Sequence, residues 1–222
     1  SPDQTIRSYS PEELRMLAAE GKLKGPGVER LARLHPATSQ NHTISQLAFE
    51  KRFSHVPCWT DPHNLLNTFL DLVKLHSPSQ REQSVAKYLI QKLKTIGFED
   101  IEQDPYGNII AQKPARDTQT VNLMFTAHMD CVYPGGNAPV TPCFHASGEI
   151  RTNGANSLGA DDKAGITSIL AALDYMHKAQ LPHGDIRVVF TVQEELGYRG
   201  IKQIPACLLN NIHLVISMDP PV

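Results

Sequence analysis

From about Asp61 onward, apolar runs of strand length alternate with helical stripes, and that alternation confines the chain to an α/β fold. Leu65, Phe69, Leu72 and Leu75 line one face of a helix predicted over 64–75. Ser77-Pro78-Ser79 breaks it, and Ser79 with Glu82 has the spacing of a capping box. The next helix carries Val85, Leu89, Leu93 and Ile96 on one side and ends at Gly97. Residues 98–103 and 108–112 read as a hairpin around Pro105-Tyr106-Gly107. Strands are predicted at 121–126, 185–192 and 213–217, a helix at 163–178, and a short helix at 198–204. The long loop 133–160 contains a candidate surface hairpin at 144–150. Strands separated by helices need crossover connections, which predicts a mixed, largely parallel sheet with helices on both faces.

The first sixty residues read differently. Ser10-Pro11-Glu12-Glu13 opens a short helix with Leu14, Leu17 and Ala18 as its stripe and Gly21 as its stop. A second helix is predicted over 28–34, ending at His35-Pro36. Residues 1–60 are therefore expected to be a helical extension and linker, a docking arm, with 61–222 forming the main domain.

Composition narrows the functions. At 222 residues and 41% hydrophobic, the chain can bury a substantial core. The 21 basic and 23 acidic residues show no basic stripe, so neither nucleic acid nor an anionic membrane is an expected partner. The longest apolar runs, such as 186–192, are too short to cross a bilayer. Cys58, Cys131, Cys143 and Cys207 lack metal-type or redox-type spacing, which favours reduced thiols and a cytoplasmic location. Ser1-Pro2-Asp3 does not open a signal peptide, and Asn41-His42-Thr43 matches a glycosylation triplet that means little without one.

The chemistry gathers at the predicted strand ends. His128-Met129-Asp130 follows one strand, Glu194-Glu195 another and Asp219 a third, while Asp161-Asp162 precedes an apolar helix between Gly159 and Gly165. In open α/β sheets ligands collect beyond the carboxyl ends of the strands. Four elements aiming acids at one rim would repel strongly unless cations neutralised them. Oxygen ligands with one imidazole suit divalent metals. Each motif alone has a blander explanation: a surface pair, a solvated helix start, a turn residue before Pro220. Their conjunction points to a metallohydrolase.

These same residues carry a resemblance. Ala127-His128-Met129-Asp130, Leu158-Gly159-Ala160-Asp161-Asp162-Lys163-Ala164-Gly165 and Thr191-Val192-Gln193-Glu194-Glu195-Leu196-Gly197 resemble the co-catalytic zinc exopeptidases, in particular the peptidase T (tripeptide aminopeptidase) branch. The likeness runs from about Leu65 to the C-terminus and implies the zinc-exopeptidase-like, phosphorylase/hydrolase-like sandwich. It implies two divalent ions, zinc first, with cobalt or manganese as alternatives. His128 and Asp219 would hold the first, Glu195 the second, and Asp161 would bridge them. Asp130 would hold the His128 imidazole, Asp162 would shape the bridge through a strained cis peptide, and Glu194 would be the general base. The implied substrate is a short peptide with a free N-terminus.

The sequence departs from that family in two places. The family's second metal takes a further His from far downstream, beyond a lid domain, whereas this sequence ends three residues after Asp219. None of His145, His177, His183 and His213 sits in a matching context. Pro220-Pro221 also stands where the family usually has Gly or Ser. The expectation is the N-terminal part of a catalytic domain, inactive as an isolated fragment, with exposed apolar surface that would favour a homodimer. Two other functions remain open: an amidohydrolase (deacylase or carboxypeptidase) of the same superfamily, and a non-catalytic partner-binding fragment. Of the neighbours, Cys131 reads as a packed small residue, Tyr133-Pro134-Gly135-Gly136 as an entrance loop, and Lys163 as a partner of the acidic rim.

Overall fold

The computed structural model describes residues 43–53, 62–118 and 120–219. The helices expected in the first forty residues, Cys58 and Pro220-Pro221 lie outside them. The elements in order are β1 (Thr43–Ile44), α1 (Gln46–Phe53), α2 (Pro62–Lys74), α3 (Gln83–Thr95), β2 (Asp100–Gln103), β3 (Ile109–Lys113), β4 (Leu123–His128), β5 (Pro142–His145), β6 (Ile150–Thr152), α4 (Ala160–Lys178), β7 (Ile186–Thr191) and β8 (Leu214–Ser217). No described helix is long and apolar enough to cross a membrane.

The main sheet has the order β2-β3-β7-β4-β8. β4 pairs parallel with both β7 and β8, while β3 runs antiparallel to β2 and β7, so four of its five strands point the same way. The hairpin expected before the first buried strand is β2-β3. Its turn closes on Asp104, whose Oδ1 accepts the N–H groups of Tyr106, Gly107 and Asn108 at 2.8 to 2.9 Å. The surface hairpin expected in the long loop is β5-β6, and β1 adds to it as a third strand, Thr43 opposite His145.

Registration explains the core. Ile109, Phe190 and Ala127 lie side by side across β3, β7 and β4, as do Ala111, Val188 and Phe125. This face meets Leu72 of α2, Val85, Leu89 and Leu93 of α3, and Ile166, Ile169 and Leu173 of α4, all at most 2% exposed. Burying each such side chain contributes roughly 1.5–3 kcal/mol, so the apolar stripes seen in the sequence place the helices. Leu70 and Phe144 form a smaller core between α2 and the β5-β6 hairpin.

The opposite face differs from expectation. The helices α2, α3 and α4 all join the first face. Ile110, Val189 and Met124 are buried on the other side, where the Arg187 guanidinium donates to the carbonyls of Leu208 and Asn210. The cover there comprises 3-10 turns at Ile201–Gln203 and Ala206–Leu209. Topology gives the reason. The β4-to-β7 and β7-to-β8 crossovers step across the sheet in opposite senses, so a common right hand puts them on opposite faces. Between β7 and β8, Gly197 and Tyr198 have φ of +87° and +60°, and Pro205 follows, so the short helix expected over 198–204 is the 3-10 helix Ile201–Gln203.

This topology puts the carboxyl ends of β4, β7 and β8 at one rim. His128 is the last residue of β4, Glu194 follows β7 by three residues, and Asp219 follows β8 by two.

Candidate metal centre

The structure brings the predicted residues together. His128 is 2% exposed, and its Nε2 lies 3.0 Å from Asp161 Oδ1, 3.9 Å from Glu194 Oε2 and 4.0 Å from Asp219 Oδ1. A Glu195 carboxylate oxygen completes a trio with the His128 and Asp161 atoms, all within 4.8 Å of one another. Four elements that are far apart in sequence therefore converge on one imidazole nitrogen.

The imidazole is oriented from behind. Its Nδ1 lies 2.9 Å from the Asp130 carbonyl and 3.5 Å from the Asp130 carboxylate. A carbonyl only accepts, so Nδ1 carries a hydrogen and Nε2 is the nitrogen that faces the carboxylates. A proton on Nε2, or a cation in its place, lets it stand 3.0 Å from Asp161 Oδ1. Burial pulls the His128 pKa down, but hydrogen bonding to Asp130 and the charges of Asp162 and Asp130 outweigh it and lift it to about 10. Burial, reinforced by neighbouring acids and opposed by His128, raises Glu194 and Glu195. The donor set of one imidazole and several oxygens fits divalent ions.

Asp130 has a further task. It is fully buried, and its carboxylate accepts the Ser79 hydroxyl at 2.7 Å, the Glu194 N–H at 2.9 Å and the Glu195 N–H at 3.2 Å. Burial, the largest single influence, raises its pKa, but hydrogen bonds from His128, Ser79 and the Glu194 N–H, with the charge of His128, hold it below the ordinary range. The residue expected to steady His128 thus also grips the loop that bears the two glutamates.

The Gly-Ala-Asp-Asp-Lys-Ala-Gly stretch is built around one close approach. The Asp161-Asp162 peptide is cis, both residues depart from helical geometry, and α4 is regular from Lys163. Asp162 is 1% exposed and accepts the His128 N–H and the Gly165 N–H at 3.2 Å each. Burial raises its pKa to about 7, with His128 opposing. Gly159 adopts φ +68°, and a Cβ on Gly165 would overlap Asp162 Oδ1. Gly165→Ala is accordingly expected to displace Asp162 and destabilise the fold by about 1–3 kcal/mol; an unchanged urea midpoint would contradict this packing.

Three side chains differ from the sequence-based expectation. Ser79 and Glu82 do not form a capping box: α3 has no side-chain cap at Glu82. Ser79 bonds Asp130 instead, and Glu82 Oε1 accepts the N–H groups of Gln80 at 3.0 Å and Gln193 at 3.1 Å. Lys163 does not pair with the acidic rim. It is fully buried, donates to the Leu75 carbonyl at 2.6 Å and the Tyr133 hydroxyl at 2.8 Å, and burial lowers its pKa. Sequence reasoning also missed Asn108, fully buried, whose Oδ1 accepts the Val192 N–H and whose Nδ2 donates to the Gly200 carbonyl, closing both ends of the glutamate loop. A polar residue directly after a turn glycine is the only local hint.

Volume alone would have pointed elsewhere. A cavity of about 750 Å³ lies near Lys113, His177 and Asp185, at the amino end of β7, and shares no residue with the acidic rim. The convergence of ligand types marks the acidic rim as the candidate site.

The chain is similar to several known proteins. A family model of M42 glutamyl aminopeptidases matches residues 141–221. Uncharacterized protein YqjE of Bacillus subtilis is 34% identical, aligned over 65% of this chain and 40% of its own length. Peptidase T of Bacillus mycoides is 31% identical over 60% of this chain and 43% of its own. The crystal structure of a tripeptidase from Staphylococcus aureus superposes with a TM-score of 0.68 at 31% identity, covering 74% of this chain and 45% of that one. The chain thus spans less than half the length of these relatives. With its mixed sheet and its motifs in order along three strand ends and one helix start, it is similar to peptidase T and to this tripeptidase.

Proposed function

We propose that the complete protein carrying this chain is a metal-dependent peptidase that removes the N-terminal residue of short peptides. The observation that carries the reading is the meeting of Asp161, Glu194 and Asp219 within 4.0 Å of one imidazole nitrogen. Its relation to peptidase T and to a tripeptidase supports the substrate class.

In this reading His128 and Asp219 would hold one divalent ion and Glu195 the other, with Asp161 contributing to both, and zinc is the first choice of metal. When bound, such ions polarise the scissile carbonyl and lower the pKa of water. The chain's own residues do the rest. Glu194, part-buried and next to the ligand set, takes the proton of the attacking water on its Oε2 and returns it to the leaving amine. Asp130 keeps the imidazole hydrogen on Nδ1, leaving Nε2 free as a ligand.

The test is metal stoichiometry combined with tripeptide hydrolysis in the complete protein. Wild type should hold two divalent ions and release N-terminal residues, and His128→Ala should lose at least one ion together with nearly all turnover. A wild-type protein that binds no divalent ion after dialysis against zinc would refute the proposal. Hydrolysis confined to N-acylated substrates would replace it with the amidohydrolase reading.

A further inference from the structure

We infer that Glu82 is a positioning residue for the glutamate pair: by accepting the Gln193 N–H at 3.1 Å, it sets the direction in which Glu194 and Glu195 leave β7. The inference rests on the peptidase reading above and adds a residue to it.

Glu82 is 4% exposed at the N-cap position of α3, yet its side chain makes no capping bond to that helix. Its Oε1 reaches across 111 residues of sequence to Gln193 and also accepts the Gln80 N–H at 3.0 Å. A buried carboxylate held by backbone amides is costly unless those bonds are made. Here they tie one loop to another.

Three successive N–H groups, those of Gln193, Glu194 and Glu195, end on just two buried carboxylates, Glu82 and Asp130. The Asp130 contacts fix the amides of the two acids but not the point where the chain turns away from the strand. That point is Gln193, which has φ +54°, a conformation that a residue with a side chain adopts only when its surroundings hold it there. Release of its N–H lets Gln193 return to negative φ and swings both acids.

The loop 77–82 is a bracket behind the site. The Ser77 carbonyl accepts the Cys131 N–H at 3.0 Å, the Ser79 hydroxyl donates to Asp130, and Glu82 takes Gln193. The bracket therefore touches the element after β4 and the element after β7 together. Ligand and base geometry must hold to about half an ångström for catalysis, so a slip there is felt in turnover.

The experiment uses the complete protein with cobalt in place of the native metal, comparing wild type, Glu82→Ala, Glu82→Gln and Glu82→Asp. Glutamine keeps an oxygen that can accept both N–H groups; alanine removes it and aspartate withdraws it. With cobalt saturating, Glu82→Ala and Glu82→Asp should retain the metal, shift the visible cobalt absorption, and lower kcat about 10- to 100-fold with KM changed less than about 3-fold. Glu82→Gln should restore the wild-type spectrum and bring kcat to within about 5-fold. Wild-type kcat and spectrum in Glu82→Ala, or equal damage in Glu82→Gln and Glu82→Ala, would overturn the inference.

Residue-resolved hydrogen exchange of the wild type gives a second measurement independent of turnover and of how the variants fold. The Gln193 amide should exchange at least about 100-fold more slowly than that of Leu196 in the same loop; comparable rates would overturn the inference. A wild-type protein with a protected Gln193 amide but no peptide hydrolysis would sink the peptidase reading and leave the Glu82 contact standing.

Discussion

Glu194→Ala in the complete protein is expected to lower kcat for tripeptide hydrolysis by about 10³-fold while bound metal stays at the wild-type level. Glu194 is 18% exposed and stands beside the ligand set, with Oε2 3.9 Å from His128 Nε2. In the proposed reading it takes the proton of the attacking water and is not a ligand, which is why the metal should stay. Burial raises its pKa, and Asp219, Glu195 and Asp130 add to the effect, whereas His128 opposes it. A positive charge between these groups would keep the carboxylate ionised and able to take a proton. Kinetic assay alongside elemental analysis of the same sample checks both halves. Loss of metal in this variant would make Glu194 a ligand and remove it from the role of base.

Asp130→Ala is expected to produce the largest loss of stability, about 3 kcal/mol, read from urea unfolding. The substitution leaves three part-buried donors without this acceptor: the Ser79 hydroxyl and the N–H groups of Glu194 and Glu195. It also removes the negative charge that lies 3.5 Å from His128 Nδ1. Asp130→Asn should fall between wild type and alanine, because its amide keeps one accepting oxygen but turns an NH2 toward the remaining donors. A midpoint change in Asp130→Ala worth less than about 0.5 kcal/mol would show that water satisfies those donors and that the grip on the loop is loose.

Much of this was legible in the chain. The apolar stripe Val85, Leu89, Leu93 names the buried face of α3, and the alternation of strand and helix patterns names the sheet. Acids that follow strands meet because parallel strands end at one rim, so His128, Glu194 and Asp219 could be grouped before any distance was known. Ser79 and Glu82 were misjudged for the opposite reason. Their spacing satisfies a local rule, but Ser79 bonds a carboxylate 51 residues away and Glu82 an amide 111 residues away, where no local pattern can reach. Lys163 failed similarly. A lysine beside two aspartates suggests an ion pair, whereas the direction of its side chain was decided by the Leu75 carbonyl and the Tyr133 hydroxyl. The face covered by 3-10 turns was not visible either, because crossover handedness selects a face without selecting what covers it.

The carboxylates of the rim are graded by depth. Asp130 and Asp162 are sealed at 0% and 1% exposure, whereas Asp219 and Asp161 stand 31% and 58% open. The sealed pair is spent on amide and hydroxyl donors of the framework, and the open pair faces the solvent. In the proposed reading a chelator is therefore expected to strip the ions while the scaffold beneath stays folded, and the metal would be set by supply and by the open ligands rather than at the moment of folding.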